Sequence, residues 1–285
     1  VRRKAYMWKS LKESKTGMFG FVTILLVVII ACTATIISPY DPAKQDITNK
    51  LKGPVWSEGG SWEHVLGTDQ LGRDILSRLI YGSRVTIVVA LSGTIFAGVV
   101  GIIMGAISGY YGGWIDALIM RLVDIQLSFP FILLALFIAA VLGPGLKNII
   151  LIAALSGWVT YARLVRGEIL SVKEMEYIEA IRSLGGSNPR IIFYHVLPNV
   201  VSSAIVIATL EMAKIIIMEA SLSYLGLGVP IEIATWGRML SDSRTYLVTS
   251  PWMAILPGLC ITLTVLGANL LGDWLRDYLD PKLDV

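Results

Sequence analysis

The chain has 285 residues, of which 55% are hydrophobic and only 16% charged, and its mean hydropathy is +0.69. An ordinary soluble domain carries about 25% charged residues, so this composition excludes a soluble globule and points to a chain solvated by lipid. A net charge of +3 is too mild to indicate a nucleic-acid partner. The two cysteines, Cys32 and Cys260, lie in apolar runs without a nearby thiol. They read as small membrane-helix residues, not as a disulfide framework.

The N-terminal tail holds Arg2, Arg3, Lys4, Lys9, Lys12 and Lys15 against one acid, Glu13. A bilayer-crossing helix needs about 20 mainly apolar residues, and residues 18–37 supply the first such window. Within it, Ile29-Ile30-Ala31-Cys32 resembles a lipoprotein cleavage box. The apolar run continues past Cys32, and further spans follow, so Cys32 is read as part of the helix. A long polar segment, 38–84, comes next, and the second span covers 85–108. The third has an apolar core at 129–142. Reaching full length requires starting it near Ile115, with Arg121 and Asp124 at its inner end. Pro130 is acceptable there if neighbouring helices satisfy the freed carbonyls. The fourth span covers 149–165, and the fifth, 200–225, carries Glu211, Lys214 and Glu219. The sixth covers 252–271, with Pro257 near its start. The expectation is an all-α membrane protein with six transmembrane helices.

Lysine and arginine near the span ends set the orientation. The tail is basic, and so is the segment between spans four and five, with Arg163, Arg166, Lys173, Arg182 and Arg190. Both belong in the cytoplasm, which gives an N-in/C-in topology. Segment 38–84 then lies outside. Its six basic residues carry little weight, because the segment is long and holds six acids as well.

Residues 162–199 form the longest cytoplasmic segment. Residues 172–184 read as a helix with Glu174 and Glu176 at its start, ended by Gly185-Gly186 because glycine accepts the left-handed cap. Asn188 is a good N-cap and Pro189 fits the first helical position. Residues 190–197 follow as a second helix, with Pro198 as its stop. Two short helices protruding between spans suit a docking element, although a solvated connector has the same pattern.

The residues themselves carry a resemblance. Glu179-Ala180-Ile181-Arg182-Ser183-Leu184-Gly185, then nine residues, then His195-Val196-Leu197-Pro198 resembles the EAA motif of ABC importer permeases. The resemblance implies that this loop holds a coupling helix seated in a groove of an ATPase subunit. Ile181 departs from the usual second alanine, and His195 stands where isoleucine is common. The implied coupling role is therefore carried only to Glu179, Ala180, Gly185, Leu197 and Pro198. Residues 66–78, 219–228 and 272–281 are similar to stretches of the dipeptide/oligopeptide permeases, nearest to their C-type subunit, so the likeness covers essentially the whole chain.

This resemblance implies a type I importer permease with two parts. Residues 1–84 hold the tail, first span and outer loop. Residues 85–285 form a five-helix permease core with the coupling loop at 166–199. It also implies a second permease subunit, expected to be a different chain although a homodimer stays open. Two ATPase subunits carrying ATP and Mg and an extracytoplasmic substrate-binding protein complete the set. The location is a prokaryotic inner membrane, in contact with lipid. The family handles dipeptides, longer peptides, nickel chelates, glutathione and some sugars, with the binding protein selecting the ligand.

Gly101, Gly105 and Gly109 recur every four residues on the second span, which suits close helix packing. Glu211 and Lys214 lie three apart on the fifth span and can meet on one face. They are either a local ion pair in the bundle or part of the translocation path, since charges at such depth face a partner or water. Glu219, two turns further out, falls near an outer gate. Arg121 and Asp124 fit an interfacial pair. His64 and His195 show no metal-ligand spacing. No catalytic constellation stands out, and no GxxxxGK[ST] loop is present to cradle a nucleotide. A secondary transporter would not need the motif-bearing loop and should show inverted repeats, of which the sequence carries no clear trace.

Overall fold

The computed structural model describes residues 2–279, with side chains from Met7 onward. The side chains of Arg2, Arg3 and Lys4, and Asp280 and Pro281 of the tail resemblance, lie outside the described residues. Among the described residues all regular structure is helical apart from one bridge, Thr68 to Asp74.

Helix α1 (Arg2–Glu13) leads into α2 (Lys15–Ile37), whose N-cap Ser14 accepts a hydrogen bond from the Gly17 amide at 3.1 Å. Helix α3 (Ile75–Tyr111) is 37 residues long, about 55 Å at 1.5 Å per residue. It thus starts well before the span expected at 85–108. Asp74 provides the reason. Its carboxylate caps the helix by accepting from the Ser77 amide at 2.8 Å, so the helix begins there and runs unbroken through residue 84.

The third span departs most from the sequence reading. Instead of one helix from Ile115, α4 (Gly113–Leu127) and α5 (Phe131–Leu142) meet at a bend of 86°. Pro130 biases Phe129 away from helical geometry and donates no amide. Ser128 caps the end of α4 with its hydroxyl on the Asp124 carbonyl, 2.7 Å. Among the described residues five helices are long and apolar enough to cross a bilayer, giving six spans if the bent pair is one.

Helix α6 (Leu146–Val172) overruns its expected end at 165, so the helix expected at 172–184 shortens to α7 (Glu176–Ser183). The next helix, α8 (Asn188–Ile191), starts after Ser187, which replaces Asn188 as the N-cap. The Asn188 side chain instead accepts from the Tyr110 hydroxyl at 2.8 Å. Pro198 does not stop the chain. A π-helical turn over Ile192–Val196 joins α8 to α9 (Leu197–Tyr224), making a near-continuous helix. A proline ring clashes with the carbonyl four residues earlier in a regular α-helix, and a π turn opens that spacing. The Asn199 side-chain amide adds a bond to the His195 carbonyl at 2.6 Å. On the outer side, α10 (Trp236–Ser243) precedes α11 (Trp252–Leu279), and Pro257 lies buried inside α11.

Helix α3 lies along α6, α11 packs on α2 and α9, and α10 sits among α3, α9 and α11. The main core joins Val89 and Ala90 of α3, Ile149 and Ile152 of α6, and Ile215, Ile216 and Leu222 of α9. The outward faces remain apolar, with Ile95, Phe137 and Ile255 more than half exposed, as lipid contact requires.

Candidate functional site

The segment between α6 and α9 is fastened on one side and open on the other. Ile178 of α7 and Ile191 of α8 are fully buried against Val165, Ile169, Val172, Val196 and Val200. The turn between the two helices is closed by paired backbone bonds: Gly185 N–H to the Arg182 carbonyl, and Gly186 N–H to the Ile181 carbonyl, both 3.0 Å. Gly185 has φ +84°, the left-handed conformation this turn demands. Glu179, Ala180, Gly185 and Pro198 are exposed, while Leu197 is half-buried. Beside them, Leu184 is 88% exposed, Tyr194 75% and Phe193 65%. Among the described residues, the Glu179 side chain forms no hydrogen bond or ion pair. An exposed apolar patch thus lies beside a carboxylate that is unpaired among the described residues, a composition suited to contact with another protein.

The root of this segment is clamped. Arg166 of α6 donates to both carboxylate oxygens of Asp116 on α4, at 2.5 and 2.6 Å. The Ser108 hydroxyl of α3 donates to the same carboxylate. These bonds tie three helices together at the inner end. Lys173 Nζ adds a bond to the Gly109 carbonyl at 3.3 Å. Above them, Gly101, Gly105 and Gly109 line the α3–α6 contact. A Cβ added at Gly101 would fall 2.4 Å from the Trp158 carbonyl oxygen, and one at Gly105 would fall 2.6 Å from that of Ala162.

The charges within α9 are unequal partners. Lys214 Nζ donates to Glu211 Oε1 at 2.7 Å. The Glu211 side chain is only 4% exposed, whereas that of Lys214 is 66% exposed. Glu219 is buried and accepts from the Ser223 hydroxyl at 2.7 Å. Thr235, the N-cap of α10, lies beside it. Arg121 and Asp124 are both exposed on α4 and form no ion pair with each other among the described residues.

A second polar site, not anticipated from the sequence, lies at the outer end. Arg73 Nε meets Asp69 at 2.6 Å, and Arg78 bonds the same oxygen. Both guanidinium groups reach on to Asp242 of α10, at 3.1 and 3.3 Å. Arg238 meets Asp242 at 3.2 Å. Asp69, Arg73 and Arg78 are each at most 5% exposed. Nearby, His64 Nδ1 lies 2.9 Å from Asp74, the cap of α3. Gly72, at φ +72°, lets the chain pass so close to Asp46 that a Cβ would overlap its carbonyl. The alternation of acids and arginines over 69–78 was visible in the sequence. Its partner, Asp242, stands 164 residues beyond Arg78, and no local pattern marks it.

Residues 97–285 match the family described as binding-protein-dependent transport system inner membrane component. Residues 5–54 match the N-terminal transmembrane domain of oligopeptide transport permease C. The chain is 43% identical over 276 residues to the dipeptide transport system permease protein DppC of Alkalihalophilus pseudofirmus, covering 97% of this chain and 89% of that one. It is 40% identical to the glutathione transport system permease protein GsiD of Pectobacterium atrosepticum, covering 97% and 90%. It is 38% identical over 286 residues to the oligopeptide transport system permease protein OppC of Bacillus subtilis, covering 99% and 92%. The chain therefore belongs to the family of binding-protein-dependent inner-membrane permeases, the non-enzymatic, multi-pass subunits of ABC importers.

Proposed function

We propose that this chain forms one half of a translocation path for short peptides and that α7 and α8 couple it to ATPase subunits. The observation that carries the coupling role is the two-sided build of the loop. Ile178 and Ile191 anchor it to α6 and α9, while Glu179, Ala180 and Leu184 face outward. A short helix with one face bolted to two spans transmits displacement to both. Gly185 keeps the turn tight, and Leu197 and Pro198 join the loop to α9 through the π turn.

The remaining members of the machine follow from that role. A second permease subunit, different from this chain, completes the path. Two ATPase subunits bind ATP and Mg and grip the two coupling helices. An extracytoplasmic binding protein delivers cargo to the outer face, where segments 38–74 and 228–251 meet it. A conformational equilibrium shifts only as far as ligands prefer one state. ATP and the loaded binding protein together favour the outward-facing state, and hydrolysis restores the other. The peptide assignment is supported by relatives whose names specify dipeptides, glutathione and oligopeptides.

The test is recovery of ATPase subunits with the tagged chain from detergent-solubilised native membranes. Wild type should bring them down. Glu179→Arg should insert normally, lose them and abolish uptake. Recovery of the ATPases and normal uptake by the variant would reject the coupling role.

A further inference from the structure

Lys214 is the exposed cation of α9, and its depth makes that exposure expensive. At 1.5 Å per residue it lies about 15 Å from the outer end of the helix and about 25 Å from the inner end. A lysine that deep faces water or a protein partner, because lipid contact costs several kcal/mol and snorkelling does not reach the interface. The row of α9 that carries Lys214 continues inward through Leu210, Ile207 and Ser203, at helical spacing. A hollow of ≈ 390 Å³ opens along that same row, bounded by Ser202, Ser203, Ile207 and Leu210 and ending at Arg276 of α11. Glu168 of α6, with its Oε2 buried, lies next to Ser203 of that lining.

We infer that Lys214 binds the side-chain carboxylates of acidic peptides in transit, and that the α9 row from Lys214 to Ser203 is this chain's wall of the path. The inference rests on the peptide-importer reading above and deepens it. An ammonium has three donors, and Glu211 takes one at 2.7 Å, leaving two for an incoming carboxylate. Glu211 is buried beneath Lys214 and holds its ammonium in place. Their mutual neutralisation also keeps the site weak, and a transport site must release what it captures. The hollow begins one turn inward of Lys214, at Leu210, and leads toward the cytoplasmic end. Glu168 lies near Ser203, about 16 Å below Lys214 along the helix axis.

The complete importer in proteoliposomes, supplied with saturating loaded binding protein, tests this with the dipeptides Ala-Glu, Ala-Ala and Ala-Lys. The readout is the ratio of Ala-Glu to Ala-Lys uptake at equal ATPase activity. Lys214→Glu should lower that ratio about tenfold, the effect of about 1.4 kcal/mol, with Lys214→Gln in between. An unchanged ratio in both variants, or an equal fall for all three dipeptides, overturns the proposal. Loss of the second permease subunit from both variants also overturns it and assigns Lys214 to the permease–permease contact. Failure of the wild-type importer to move any of the three dipeptides would reject the peptide reading itself, a result distinct from wild-type transport with an unmoved ratio.

Discussion

The two ends of this molecule treat polar groups in opposite ways. At the outer end, the buried Asp69, Arg73 and Arg78 and the half-buried Asp242 pair their charges with one another across α3, the outer loop and α10, with Arg78 Nε alone left over. At the cytoplasmic end, Glu179 is exposed without a partner, beside Leu184 and Tyr194 that are mostly bare. The first arrangement pairs its charges within one chain. The second is left open. An element that only holds the fold together closes its own valences, whereas one that receives force from another subunit leaves them open. The proposed work of the protein thus resides where its structure is least finished.

The sharpest way to break this comparison is to remove Arg78. Deleting one partner of a buried ionic network strands the others, typically at about 3–5 kcal/mol, against a total stability of about 5–15 kcal/mol for an ordinary domain. Arg78→Ala should leave Asp69 and Asp242 underpaired and detach α10 from the root of α3. We expect a large fall in membrane yield and in the melting temperature of the detergent-purified chain. Replacing Asp69, Arg73, Arg78 and Asp242 together by apolar residues of similar volume should restore much of that stability. Equal damage from the single and quadruple changes would mean that the cluster does more than satisfy itself.

Gly185→Pro probes the open end and should separate folding from transport. Proline fixes φ near −65°, opposite in sign to the +84° at this position, and it removes the N–H that reaches Arg182. The turn between α7 and α8 must then rearrange, while Ile178 and Ile191 lie on either side of it and the spans do not depend on it. Uptake should be abolished with insertion unchanged. Gly185→Ala meets only the left-handed penalty, about 1–2 kcal/mol, and should retain part of the activity. Equal uptake by wild type and Gly185→Pro would show that the geometry of the turn is irrelevant to coupling.

These two regions also differ in how far the sequence revealed them. The turn at Gly185 was legible because its cause is local: a glycine after an amphipathic stretch has one common structural use. Spans one, two, four and six were legible through apolar length. The bend between α4 and α5 was signalled by Pro130, but a proline in a membrane span is compatible with either a kink or a break, and only the neighbouring helices decide. Pro198 misled in the opposite direction, because the π turn before it absorbs the ring and carries the helix on. The outer cluster was illegible for another reason. Asp242 acquires its role only when α10 folds back on the root of α3, and nothing within a few residues of it encodes that meeting. Lys214 was visible as a charge in a span, but its exposure beside a buried Glu211 required the packed bundle.

The smallest expected effect tests whether the outer segment is self-satisfied in its loops as well as in its buried cluster. Asp46 accepts from the Thr48 hydroxyl at 2.5 Å, the Thr48 amide at 3.1 Å and the Asn49 side chain at 2.8 Å, capping the turn Ile47–Asn49. The Thr48 hydroxyl, foremost among these donors, holds the Asp46 carboxyl below its ordinary range. A carboxylate whose folded pKa is depressed contributes stability that is present above its unfolded pKa and lost as pH falls through the folded one. Acidification below the ordinary aspartate range should therefore loosen this turn in the wild type. Thr48→Val removes the leading donor and should make the loosening begin at a higher pH. Protease susceptibility of the 38–74 segment, followed in sealed vesicles between neutral and acidic pH, measures it. The same onset in wild type and Thr48→Val would mean that the turn is held by its backbone bonds, from Asn49 to Asp46 and from Asp46 to Leu71, and not by the carboxylate.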